Sequence, residues 1–320
     1  MNATARTTVT VTGGAGYVGS ALVPLLLGQG HRVRVLDLFL FGENTLPAHP
    51  LLEIHRGDVR DGDAVRRAVR GADAVVHLAG IANDPSCELD PGLSQDVNVA
   101  GARMVIDAAR SAGVRRFVYA SSASVYGVAH DRAVAEDART APITVYGTTK
   151  LRVEQYLAGK VTSGFSAVAV RPAALYGYAP RQRLDLTVNL FVGQAVTRGE
   201  VTVFGGGQWR PTLHVLDLCD LLRTLLERGP AHARELEIYN AAAENASVAQ
   251  LADRVVTAVN RRYGRVRSRV VISAAPADDR RSYSIDSCRA AGALGFVPRR
   301  TIEDAADALA FPRDPEGSRA

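Results

Sequence analysis

The sequence predicts an α/β fold, a doubly wound parallel sheet followed by a smaller α/β lobe. Two observations carry the prediction. Apolar runs rich in β-branched residues alternate with helical stretches of ten or more residues as far as Arg171, and strands spaced by such helices pair in parallel with helices on both faces. A glycine-rich turn, GGAGYVGS, also sits between the first apolar run and the first helical stretch, where sheets of this kind receive anionic ligands.

Residues 7–12 (TTVTVT) read as a strand, 17–28 as a helix and 32–37 (RVRVLD) as a second strand, together a βαβ unit. The alternation continues through a strand at 52–55, a helix at 61–70, a strand at 74–78, a helix at 93–112, a strand at 116–120, a helix at 145–160 and a strand at 166–171. The runs AVVHLA and FVYA are apolar throughout, as strands covered on both faces should be. Beyond Arg171, prolines and glycines break the chain into shorter pieces, with helices expected at 185–197, 215–227, 247–261 and 302–310. A strand at 236–239 is placed to return to the first sheet. This divides the chain into a Rossmann domain over residues 1–175 and a substrate-binding lobe over 176–320, with a frayed tail after Phe311.

Composition narrows the function classes. A chain that is 47% hydrophobic and 22% charged is a soluble globular one. A formal charge of +5 over 320 residues is a mild bias toward anionic ligands and no argument for nucleic acid. No apolar run approaches a membrane span, and the first twelve residues lack the basic and apolar parts of a signal peptide. The expected address is cytoplasmic, with no membrane and no nucleic-acid partner. Cys87, Cys219 and Cys288 form no CxxC pair, and the seven histidines form no HxH or HExxH, so neither a disulfide framework nor a metal site is expected.

Gly13, Gly16 and Gly19 place backbone amides and a helix N-terminus where a pyrophosphate can approach unhindered. Asp37 closes the second strand, where a carboxylate accepts both hydroxyls of an adenosine ribose and repels a 2′-phosphate. NAD is therefore expected over NADP. Asp58 in GDVRD suits either an adenine contact or a surface turn. Tyr146 and Lys150 in YGTTK stand four residues apart on one helix face, and a neighbouring ammonium lowers a phenol toward use as a base. Ser121, Ser122 and Ser124 in ASSASVYG follow a strand at its carboxyl end, the edge where parallel sheets place chemistry, although a simple polar turn reads the same way.

Taken in order, GGAGYVG, Asp37, HLAG, SSASVYG, YGTTK and RPAALYG resemble the extended short-chain dehydrogenase/reductases, the NAD-dependent epimerase/dehydratase family acting on nucleotide sugars. VNLFVGQA, VTVFGGGQWRPTLHVLDL and DDRRSYSID extend the resemblance to about residue 310. It implies that Tyr146 is the general base and acid, that Lys150 tunes it and grips the nicotinamide ribose, and that Ser122 holds the reacting oxygen. Cofactor contacts are implied at Gly13, Gly16, Tyr17, Val18, Gly19, Asp37, Asp58, Val59, Leu78, Ala79, Tyr146 and Lys150, and substrate contacts at Ser122, Ala123, Asn189, Val203, Phe204, Arg210 and Arg280. The resemblance also implies a homodimer, paired through the helices at 93–112 and 145–160, where Ala100, Gly101, Ala102, Ala108 and Ala109 permit close packing.

Members that eliminate water or decarboxylate carry an acid after the catalytic serine or threonine, where this chain has Ala123 and Ser124. Ala173 and Ala174 stand where galactose epimerases offer an asparagine, and Pro276 replaces a diphosphate-binding arginine, with Arg280 or Arg281 nearby. The expected function is oxidation and reduction of a nucleotide-diphosphate sugar at C4 with NAD, led by 4-epimerisation. A 4-dehydrogenase or 4-ketoreductase, a reductase of small ketones and a non-catalytic NAD-binding regulator are the alternatives.

Overall fold

The computed structural model describes residues 7–42, 44–128, 133–228, 235–263, 267–274 and 282–310. The first half runs β1 (Thr8–Thr12), α1 (Tyr17–Gly28), β2 (Arg32–Asp37), β3 (Leu52–Arg56), α2 (Gly62–Val69), β4 (Ala74–His77), α3 (Asp84–Leu89), α4 (Pro91–Gln95), α5 (Ala102–Ser111), β5 (Arg116–Ala120), α6 (Val145–Ala158) and β6 (Ser166–Pro172). The second half adds β7 (Ala174–Tyr176), α7 (Thr187–Arg198), β8 (Glu200–Phe204), β9 (Trp209–His214), α8 (Val215–Glu227), β10 (Glu237–Ala241), β11 (Glu244–Ser247), α9 (Val248–Tyr263), β12 (Arg269–Ser273), α10 (Cys288–Leu294) and α11 (Ile302–Ala310).

Seven strands form one sheet in the order β3-β2-β1-β4-β5-β6-β10, with every pairing parallel. The order reverses between β1 and β4, and that switch point opens the crevice in which such sheets hold ligands. The strand expected at 236–239 is β10, which lies beside β6 with Tyr239 opposite Val170. The rest of the second half forms a three-stranded sheet, β11-β9-β7, and a pair, β12-β8.

Burial on both faces explains the apolar strands. Every residue of β4 is buried, and four of the five in β5 are. One face packs on α1 and α8 through Leu22, Leu26, Leu218 and Leu222. The other packs on α2, α5 and α6 through Val65, Ile106 and Leu157. A separate core joins α7, α9 and α11 to β8 through Val192, Leu251, Val255, Ile302 and Val203.

The single helix expected at 93–112 is broken. α4 ends at Gln95, Asp96–Gly101 winds as a π-turn, and α5 starts at Ala102. The wider turn delivers Asn98 inward, where its side chain accepts from Ile81 N at 2.7 Å and donates to Ile81 O at 3.0 Å. Of the small residues on this segment, Gly101, Ala102 and Ala109 are buried, whereas Ala100 is exposed and Ala108 half-buried. The outward face of α5 also carries Arg103, Met104, Asp107 and Arg110.

Candidate active site

The glycine turn is fastened to the sheet by its own backbone. Gly13 N donates to Leu36 O at 2.8 Å and Gly16 N to Gly13 O at 3.1 Å. Gly16 caps α1 without a side-chain hydrogen bond and no acid stands in the first turn, which leaves the positive end of the helix dipole for an external anion. Gly19 is required by contact, because a Cβ there would lie 2.4 Å from Gly13 O. Asp37 accepts from Ala15 N at 2.9 Å and from Phe39 N at 2.8 Å, which holds its carboxylate at the turn. Leu78 and Ala79 follow β4 and lie against Gly13. Val59 is buried beside α5. Asp58 is taken up by Arg60, its Oδ2 2.6 Å from the guanidinium, and that pairing holds its carboxyl below the usual range. An uncapped helix start, a fixed carboxylate and small residues facing the turn fit the diphosphate and ribose of a dinucleotide.

Ser122, Tyr146 and Lys150 converge beyond β5. Ser122 Oγ accepts from Ser124 N at 3.1 Å and so caps the short 3₁₀ turn Ala123–Tyr126. Thr144 caps α6 by accepting from Gly147 N at 3.1 Å, which sets Tyr146 in the first turn and Lys150 one turn further on. Lys150 Nζ donates to Ala120 O at 2.7 Å and lies 5.5 Å from the Tyr146 ring centre and 5.1 Å from that of Tyr119.

Burial lowers Lys150 to about 8, opposed by Cys87 and Glu154. The Tyr146 side chain is partly exposed as a whole, but its hydroxyl is enclosed. That burial pushes the phenol up to about 12, against Ser122 and Arg183, which favour the phenolate; Asp84 and Cys87 add to the rise. The lowering expected from Lys150 is thus outweighed by desolvation, and the ammonium nitrogen is turned to Ala120 O. His77 of HLAG is buried and stacks on Tyr119 at 5.9 Å, with Nδ1 2.6 Å from Thr12 Oγ1. Burial first, then the Lys150 charge, lowers it to about 3 and keeps it neutral.

The loop at 177–185 joins the two halves over this edge. Tyr17 donates its phenol to Gly177 O at 2.7 Å, Arg181 N donates to Ser20 Oγ at 3.1 Å, and the Arg181 guanidinium stands 3.7 Å from the Phe41 ring centre. Gly177, at φ +107°, approaches the His214 ring so closely that a Cβ would lie 2.4 Å from Nε2. Arg183 pairs with Asp185 at 2.5 Å, and Asp185, held near 2 chiefly by that pairing, also accepts from Asn83 at 2.9 Å.

Of the substrate residues expected from sequence, Asn189 is 1% exposed. Its amide accepts from Gly177 N at 2.9 Å and donates to Arg183 O at 2.8 Å, so it shapes the loop. Val203 is wholly buried in the second core, whereas Phe204 on β8 and Trp209 on β9 are exposed. Val18 packs beside Tyr17 and Leu175. Arg210 donates to Trp209 O at 3.1 Å. Arg280 lies outside the described residues, as do Pro276 and Arg281. Asn98, Asp84 and Arg183 were passed over. Arg183 carried the one available signal, a basic residue in the glycine- and proline-broken stretch after RPAALYG.

A parallel sheet with a glycine turn at its first strand and Ser122, Tyr146 and Lys150 beyond its fifth defines a dinucleotide-binding enzyme of the short-chain dehydrogenase/reductase kind. Residues 9–242 match the model of the NAD dependent epimerase/dehydratase family, and the chain belongs to it. The family is NAD-dependent, and NAD is the cofactor.

Over 213 residues the chain is 37% identical to a 3 beta-hydroxysteroid dehydrogenase/Delta 5-->4-isomerase of Mycobacterium tuberculosis, covering 62% of this chain and only 54% of that one. It thus spans about half the length of that relative. It is 32% identical over 242 residues to a UDP-glucose 4-epimerase of Streptomyces lividans (69% and 72% covered) and 31% over 312 residues to a dTDP-glucose 4,6-dehydratase of Streptomyces griseus (94% and 91%). The solved structure of MoeE5 in complex with UDP-glucuronic acid and NAD is similar at a TM-score of 0.79 and 29% identity, over 94% of this chain and 96% of that one. Among the described residues no helix is long and apolar enough to cross a membrane, and no cluster of His, Cys, Asp or Glu is arranged to hold a metal ion.

Proposed function

We propose that this protein is a nucleotide-sugar 4-epimerase that uses NAD. The observation that carries this reading is the surroundings of the Ser122 hydroxyl. Ala123, the next residue, is fully buried, and Ser124 accepts a hydrogen bond from Ser122 Oγ at 3.1 Å. No carboxylate follows Ser122 to protonate a leaving oxygen, as elimination requires.

Bound NAD would supply a reversible hydride acceptor. Gly13, Gly16, Tyr17, Val18 and Gly19 would hold its diphosphate, Asp37 its adenosine ribose, and Lys150 with Tyr146 its nicotinamide ribose. Tyr146, as the phenolate, takes the proton of the C4 hydroxyl and returns it at the end, while Ser122 holds the reacting oxygen. A phenol near 12 keeps its own proton at neutral pH. The groups that ease its ionisation are therefore central, and these are Ser122 and the Arg183 charge. Inversion requires the flat 4-keto sugar to offer its other face before hydride returns to C4. The loop at 177–185 supports this cycle, since its ties to Ser20, Phe41 and Asn83 favour keeping the cofactor between half-reactions. Phe204 and Arg210 are the second-lobe groups offered to the nucleotide diphosphate.

A second reading, elimination of water, is favoured by Asp84, whose charge acts on Tyr146 from the start of α3. A nucleotide sugar deuterated at C4 separates the possibilities. Deuterium retained at inverted C4 is the expected result. Deuterium moved to C6 with loss of water establishes elimination, and deuterium released in free NADH establishes a 4-dehydrogenase.

A further inference from the structure

We propose that Glu154 is a positioning residue: gripped by Arg171, its carboxylate fixes the Ser121–Ser122 end of β5 against the face of α6 that carries Lys150, and steadies the Lys150 ammonium. The proposal rests on reading Ser122, Tyr146 and Lys150 as the reacting groups, and assigns what holds them.

Glu154 and Arg171 are each 3% exposed. Arg171 donates Nε to Glu154 Oε1 at 3.0 Å and Nη2 to Oε2 at 2.6 Å, a two-point pair. Oε1 also accepts the Ser121 hydroxyl. On its other side Arg171 donates Nη1 to the Tyr126 hydroxyl at 2.8 Å, and Tyr126 donates to Asn240 Oδ1 at 2.7 Å. Ser122 is bracketed: Ser121, just before it, hangs on Glu154, and Tyr126, which ends the turn after it, hangs on Arg171. One residue earlier still, Ala120 O receives Lys150 Nζ at 2.7 Å. Residues 120–126 are thereby pinned at three points to side chains of α6 and β6.

An ion pair at this depth is a weak source of stability, because desolvation consumes much of the attraction and apolar side chains of similar volume do as well. What it supplies is a unique geometry, since both oxygens and the guanidinium have directional partners on β6, on α6 and in the turn that follows β5. Glu154 stands four residues beyond Lys150, on the same face of α6. The groups that face Lys150 are Cys87 from α3, His77 from β4, Tyr119 and Ala120 O from β5, and Tyr146 and Glu154 from α6. Glu154 is the carboxylate among them and favours the charged ammonium.

The chain has two lysines, Lys150 and Lys160, so each ε-amine of the full-length protein labelled with ¹³C-lysine can be titrated separately by NMR. Lys160, on the surface beside Asp107, is the internal control. Glu154→Gln is expected to lower the Lys150 midpoint by about half a pH unit or more while Lys160 stays put. Ser121→Ala leaves the Glu154–Arg171 pair in place and is expected to lower kcat roughly tenfold through misplacement of Ser122, with KM and NAD affinity unchanged. A wild-type Lys150 midpoint in Glu154→Gln, or a wild-type kcat in Ser121→Ala, overturns the proposal. If Glu154→Gln does not fold, Ser121→Ala decides alone. The lysine titration needs no turnover, so it still reports on Glu154 if Tyr146→Phe proves active and the catalytic reading itself fails.

Discussion

The glycine turn after β1 and the serine turn after β5 lie on the same edge of one sheet and are built from different materials. Over Gly13–Gly16 the contacts are backbone to backbone or backbone to carboxylate, and they reach no further than the next strand: Gly13 to Leu36 and Ala15 to Asp37. Around the serine turn they are side chain to side chain, buried and charged, and they reach far along the chain, from Ser121 to Glu154 and from Tyr126 to Asn240. The first arrangement tolerates no added carbon at Gly19. The second is sensitive to every charge, because its ion pair is buried and poorly screened.

The largest effect that separates the two regions is expected from Tyr146→Phe. Turnover should drop by roughly 10² to 10⁴ with NAD affinity and fold retained, since the glycine turn is untouched. Wild-type kcat in this variant would remove Tyr146 from the chemistry. Gly19→Val should do the reverse, with the bound NAD fraction falling by on the order of tenfold or more as the side chain forces the turn from the helix. Normal NAD binding by calorimetry would show that the close approach is not needed.

A smaller and opposite effect is expected at Lys150. Its midpoint in the folded protein is about 8 against an ordinary 10.5, so the unfolded chain holds that proton more tightly. The resulting instability is present in full below about pH 8 and fades as pH rises from 8 toward 10.5. Lys150→Met should therefore be inactive yet more stable at pH 7, by on the order of 1–3 kcal/mol. The gain should shrink in denaturant titrations at pH 10, and equal stability of variant and wild type at pH 7 would refute the account. The smallest change is expected from Arg181→Ala, which removes the stack on Phe41. NAD should dissociate a few-fold faster, about the worth of one cation–π contact, with the product spectrum unchanged. An unaltered off-rate in stopped-flow displacement would detach the loop at 177–185 from cofactor retention.

The first βαβ unit was legible because its signals are local: a β-branched run, a glycine turn, a helical stretch and a second run that ends in Asp37. The return of β10 to the main sheet was also marked, by an apolar segment of the right length. The π-turn at Asp96–Gly101 left no mark in the periodicity, because what favours it is the seat of Asn98 against Ile81, fifteen or more residues away. β7, β8, β9, β11 and β12 are three to six residues long and find partners across the second lobe, too short for a period to declare itself. The motif marked Asn189, and the fold alone shows its buried amide bonded to Gly177 and Arg183.

Residue types and short spacings were enough to establish a parallel sheet, a cradle for NAD and a Tyr146–Lys150 pair on one helix face, because each depends on contacts within a turn or a single βαβ unit. The protonation of that pair followed from the fold. Spacing says that an ammonium stands near a phenol; only the packed structure shows the phenol desolvated, the ammonium nitrogen bonded to Ala120 O, and Glu154 and Arg171 locked beneath the serine turn. Desolvation and long-range hydrogen bonds exist once distant segments meet, and in this active site they outweigh the local pairing.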